Sequence, residues 1–208
     1  MPQLSQAKTL GGVGSILMIL SFVPAVGWLL AIAGAIMVLV AIKYVSEIVE
    51  DKSIFNNMLL AIILGIVGLV VGITVILGTV LSVFGVGNLA SWFSSIPRGV
   101  PGVYTPPAIP SGGLPSLILG ALTGLAVIWV LLIVSAILVR RSYSSMSQKL
   151  GVGMFNTTGL IYLIGAALTI VVVGVIILFV ALVLNVVSFF SIPDQQMPHS
   201  AAPQPTSM

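Results

Sequence analysis

Four stretches of this chain carry no charged side chain: residues 9–42, 53–96, 99–139 and 150–193. Each is longer than the roughly 20 apolar residues that cross the hydrocarbon of a bilayer. In lipid every backbone N–H and C=O must be satisfied inside the protein, so a spanning chain is restricted to helices or closed barrels. Barrel strands alternate polar and apolar side chains over about 10 residues, and "LLAIILGIVGLVVGITVIL" does not alternate. Charged residues make up 5% of the chain, against about 25% in a soluble domain. The expected fold is therefore all-α, a polytopic transmembrane helical bundle.

Residues 9–42 as one helix would be roughly 50 Å long, against a hydrocarbon core of about 30 Å. Pro24 and Gly27, in "FVPAVGW", break the run near its middle. A helical hairpin with arms near 5–22 and 25–49 is expected, with Trp28 at an interface. Lys8 and the run after it have the rough form of a secretory signal peptide. The segment that cleavage would leave behind is itself strongly apolar, so an uncleaved anchor is expected. The third span, 53–84, takes Ser53 as its N-cap, with Glu50 and Asp51 beside the helix's positive end. The fourth, 116–139, is expected to stop at Arg140 and Arg141. The intervening loop, 85–115, is rich in Pro and Gly. Within it Leu89, Trp92, Phe93 and Ile96 have the spacing of a short helix lying in the interface.

The last apolar run, 151–191, is again too long for one upright span and has no central proline. "GSILMILSFVPAVGWLLAIAGAIMVLVAI" and "GLIYLIGAALTIVVVGVIILFVALVLNVV" each interrupt an apolar arm with a glycine after about a dozen residues and then resume. This echo favours a second hairpin, 152–171 and 174–191, for six spans in all. A single tilted helix, giving five, is the alternative. With the first hairpin in place, Lys8, Lys43, Lys52, Arg140, Arg141 and Lys149 share one side and Arg98 lies opposite. Positive charge marks the cytoplasmic side, so the N-terminus is expected there. The tail, 192–208, is polar and proline-rich, the composition of a disordered segment.

"KTLGGVGSIL", "IKYVSEIVEDKSIFNNMLLAIILGIVG" and "TGLIYLIGAALTIVVVGVIILFVALVLNVVSFFSIP" resemble the archaeal integral membrane protein family catalogued as domain of unknown function 996. The likeness runs from about residue 8 to 193. It implies an archaeal cell-membrane protein with about this many spans and no assigned activity. Some relatives carry a cysteine-bearing zinc-ribbon tail; this chain has no cysteine, so none carries over.

The chemical inventory is sparse. With no cysteine, disulfides and thiolate chemistry are excluded, and the single histidine, His199, lies in the tail. Seven scattered cations form no basic stripe for nucleic acid. No ionisable residue lies deep in a span, where ion-coupled carriers keep one. No catalytic, cofactor-binding or metal-ligating residue is expected, and no enzymatic activity. Buried polar groups reduce to Ser21, Thr74, Thr79, Thr123, Ser135, Thr169 and Asn185.

Two patterns remain. The island "IKYVSEIVEDKSIFNN" holds Lys43, Glu47, Glu50, Asp51 and Lys52. Lys43, Glu47 and Glu50 are expected on one helix face, as are Glu47 and Asp51. Its bland reading is a solvated cytoplasmic turn, and its functional reading a docking surface for a partner. In the third span Ala61, Gly65, Gly68, Gly72, Thr79 and Ser82 fall on one helix face, and Gly120 and Gly124 repeat the small-xxx-small spacing in the fourth. Small residues let membrane helices pack closely, within one subunit or between copies of a homo-oligomer. The expected function is a non-enzymatic accessory, scaffold or membrane-organising subunit that acts through helix packing. A pore or carrier for a small neutral or lipidic solute, lined by the hydroxyls and Asn185, is the alternative.

Overall fold

The structure, a computed structural model, describes residues 3–95, 110, 112–171 and 173–193. Among these it is helical, without strands: α1 Leu4–Ile19, α2 Gly27–Ile48, α3 Lys52–Phe84, α4 Val86–Ser95, α5 Gly113–Leu150, α6 Gly153–Ala167 and α7 Val173–Phe190. Five of them, α2, α3, α5, α7 and α6 extended to Ile170, are long and apolar enough to cross a membrane. At 16 residues α1 is shorter. The chain divides into two compact units, residues 1–62 with 135–208, and residues 63–134.

The first unit holds both ends of the sequence. Its core joins Ile42 and Val45 of α2, Ile54 of α3, Met146 of α5, Phe155 of α6 and Phe189 of α7. The Phe155 ring meets Tyr143 and Phe189 edge-on, with centroids 5.6 and 5.3 Å apart. Such pairs contribute about 0.5–1.5 kcal/mol each beyond their buried area.

Each end of the chain folds as a hairpin, and the two tips are built alike. In the first, the 3₁₀ turn Leu20–Phe22 ends at an extended residue, Val23, whose N–H donates to the Leu20 carbonyl at 3.0 Å. In the second, Leu168–Ile170 ends at extended Val171, whose N–H donates to the Leu168 carbonyl at 2.9 Å. A glycine then lies in the first turn of the return helix in each. A Cβ on Gly27 would collide with the Ser21 carbonyl, and one on Gly174 with the backbone of Leu168 and Thr169. The last apolar run is thus two helices, one closing in the 3₁₀ turn Leu168–Ile170 and the next beginning at Val173, and the break needs no proline.

Two sequence expectations are corrected. The arginines do not stop the fourth helix; α5 continues past Arg140 and Arg141 to Leu150. Arginine is a good helix former, so charge ends the membrane segment but not the helix. The stop comes at Gly151, whose φ of +69° suits a helix C-terminus. Ser53 is not the cap of α3, which begins at Lys52. Asp51 caps it instead, its Oδ1 accepting from the Ser53 N–H at 3.0 Å and the Ser53 hydroxyl at 2.6 Å. In the 85–115 loop, α4 covers the first part of the expected interfacial helix, while Ile96 lies outside the described residues.

Candidate functional site

In the second unit the small residues bring α3 and α5 together. A Cβ on Gly68 would lie 2.9 Å from the Leu131 side chain, and one on Gly72 would collide with Ile128 and lie 2.9 Å from the Gly124 carbonyl. Reciprocally, a Cβ on Gly124 would lie 2.8 Å from the Gly72 carbonyl, and one on Gly120 would meet the Thr79 side chain. These glycines let the two backbones approach where no larger residue fits. The six positions proposed for α3 do not act as one stripe. Ala61 belongs to the first unit, where it is fully buried and its carbonyl accepts from the Ser135 hydroxyl at 2.8 Å. Ser82 is exposed and bonds back to the Thr79 carbonyl, and Gly65 is half-buried.

The charged island is a tight corner between α2 and α3. Helix α2 ends at Ile48, and Glu50 takes a left-handed conformation with φ of +54°. The Asp51 N–H then donates to the Ser46 carbonyl at 3.0 Å and the Glu50 N–H to the Glu47 carbonyl at 3.4 Å, the pairing of a Schellman motif. The helix face expected to carry Lys43, Glu47 and Glu50 therefore ends at Glu47, and Glu47 and Asp51 are not i, i+4 partners on a helix. Lys43 and Glu47 remain an exposed pair, 3.8 Å apart; such pairs contribute little to stability. The Ser53 hydroxyl holds the Asp51 carboxyl below its usual range against an opposing effect of burial, and the Ser53 N–H and the positive charge of Lys149 add to the lowering. Lys52 is exposed.

A third constellation escaped sequence reasoning. Asn185 of α7 is buried and joins three helices: its Oδ1 accepts from the Tyr143 hydroxyl of α5 at 2.8 Å, and its Nδ2 donates to the Ser15 hydroxyl of α1 at 2.9 Å. The Ser15 hydroxyl in turn donates to the Gly11 carbonyl at 2.7 Å. Beside it, Thr158 of α6 and Ser188 of α7 share a 2.8 Å hydrogen bond, and Ser142 of α5 donates to the Ile54 carbonyl of α3 at 2.8 Å. Among the described residues no buried side-chain polar atom lacks a partner. Of these groups only Asn185 stood out in sequence, because a lone serine or threonine in an apolar run gives no sign of whether it bonds its own helix or a neighbour. Thr74, Thr79, Thr123 and Thr169 do bond their own helices, to the carbonyls of Val70, Val75, Leu119 and Gly165.

An open groove of about 480 Å³ lies beside the start of α1, lined by Ser5, Gln6, Thr9, Leu10 and Tyr44. Among the described residues no three His, Cys, Asp or Glu side chains gather as a metal site would require.

The chain is similar to an uncharacterised protein of Methanocaldococcus jannaschii, 33% identical over 192 residues that cover 92% of this chain and 94% of that protein. No solved structure matches. The family model described as protein of unknown function (DUF996) matches residues 30–183, and the chain belongs to that family.

Proposed function

We propose that this chain is a non-enzymatic subunit of the cell membrane, an accessory or scaffold protein that acts through the packing of its helices. The observation that carries the reading is where the polar groups go. Among the described residues the buried amide and hydroxyls are engaged in tying one helix to another, and others bond their own backbone, which leaves no buried polar side chain there without a partner. Meanwhile α3 and α5 carry long exposed apolar faces, including Ile66, Leu69, Val70, Ile73 and Leu77 on one and Ile118, Leu119, Leu122 and Leu125 on the other. Faces of this kind suit lipid or the helices of a membrane partner. A pore is less well supported, because Thr74 and Thr123 are exposed and bonded to their own helices rather than gathered along an internal path.

Purification in gentle detergent followed by native mass spectrometry tests the reading. A stoichiometric complex, with another membrane protein or with further copies of the chain, is expected. A bare monomer under conditions that preserve known membrane complexes would overturn it.

A further inference from the structure

We propose that the two hairpins of the first unit are re-entrant. They dip into the bilayer from the charged end and stop inside the hydrocarbon, with their tips among lipid acyl chains. The inference rests on the membrane placement of the helices and not on any partner.

The level of the charged boundary is set by Arg140 and Arg141, which are exposed on α5. A guanidinium at the bilayer centre costs about 3 kcal/mol on insertion scales, so these residues lie near water, within about one helical turn, roughly 5 Å, of snorkelling reach. Gly159 of α6 is level with them: a Cβ there would lie 3.1 Å from the Arg140 Cα. Tyr143, one turn beyond, bonds Asn185 of α7, and Asn185 bonds Ser15 of α1. Gly14, next to Ser15, packs on the backbone of Gly34 in α2. These contacts carry one level across all four hairpin arms.

From that level the arms are short. At the usual rises of α and 3₁₀ helix, α6 with its 3₁₀ turn reaches about 18 Å from Gly159 to Ile170, and α7 about 18 Å from Asn185 to Val173. In the first hairpin, Ser15 to Phe22 gives about 12 Å and Gly34 to Gly27 about 10 Å. Starting the first hairpin at Lys8 instead lengthens α1 to only about 23 Å. The hydrocarbon is about 30 Å thick. One turn of snorkelling does not close the gap, and any tilt widens it.

The tips have the chemistry of such a position. Residues 9–42 and 150–193 contain no charge. Trp28 is 64% exposed and Ile170 73%, with Val23, Val26, Val171 and Val173 also outward. In lipid an unpaired N–H is costly, and the glycine N–H at each tip is paired: Gly27 donates to the Val23 carbonyl at 2.9 Å and Gly174 to the Val171 carbonyl at 2.8 Å.

The test uses the full chain in vesicles of dioleoyl phosphatidylcholine and phosphatidylglycerol, with Trp92→Phe and Trp129→Phe leaving Trp28 as the only tryptophan. Lipid brominated near the end of its acyl chain should quench Trp28 at least twofold more than lipid brominated near the headgroup; the reverse order overturns the proposal. The chain has no cysteine, so Ile170→Cys reports the second tip. A membrane-impermeant maleimide present on both sides should modify Lys149→Cys but not Ile170→Cys until detergent is added. Equal modification in intact vesicles overturns the proposal. If Ile170→Cys fails to insert, the depth of Trp28 decides. Loss of protein from the vesicles on alkaline washing would strike the membrane placement itself, whereas retained protein with water-accessible tips would strike only the re-entrant hairpins.

Discussion

Asn185 links three helices of the first unit through one side chain, and its removal has a graded outcome. Asn185→Ala leaves the buried Tyr143 hydroxyl without its acceptor and should lower stability by about 1–2 kcal/mol. Tyr143→Phe combined with Asn185→Leu should cost clearly less than the sum of the single changes, because both partners are then apolar. Thermal unfolding in detergent across the double-mutant cycle checks this. At the charged corner, Asp51 has its pKa lowered on folding, chiefly by the Ser53 hydroxyl. A carboxylate of that kind contributes stability above its unfolded pKa and loses it as pH falls through the folded value. The wild type should therefore lose this contribution in acid below the usual carboxylate range. Asp51→Asn, which keeps an acceptor but does not titrate, should lack that step in its pH profile of unfolding.

At the scale of elements, the seam between α3 and α5 separates glycines that are needed from one that is not. Gly72→Val drives a branched side chain against Ile128 and the Gly124 carbonyl, and overpacking of this sort costs about 1–3 kcal/mol. Gly78, with open space around its Cβ position, should tolerate Gly78→Ala and gain up to about 1 kcal/mol of helix propensity. Unfolding midpoints of the two variants make the comparison. The same contrast marks how far sequence could be read. Periodicity placed Gly68, Gly72, Gly120 and Gly124 on packing faces, and proline with glycine placed the first hairpin. Periodicity did not show that Ala61 and Ser82 have separate roles, because a face that is continuous on one helix need not meet one neighbour along its whole length. The end of α5 was misplaced since arginine signals water and not helix termination. The cap of α3 was misplaced by two residues because Asp51 and Ser53 are both good caps and only the left-handed turn at Glu50 decides between them.

For the whole molecule, the apolar runs made the all-helical membrane class legible at once, since no other backbone satisfies itself in lipid. The polar contacts that hold the first unit were not legible, since they join positions far apart in sequence, Ser15 to Asn185 above all. A reporter fused after Ser191 should lie on the same side of the membrane as one fused to the N-terminus. Opposite sides would mean that α6 and α7 act as a single crossing.

The matched tips bear on how such a chain is assembled in the cell. Neither hairpin apex carries a formal charge or a long hydrophilic segment. Inserting either one therefore hauls no ion through the oily layer, a step that insertion scales put at about 3 kcal/mol per residue. Re-entrant hairpins would then enter from the side on which they are synthesised, and α3 and α5 would be the segments that need the translocation machinery.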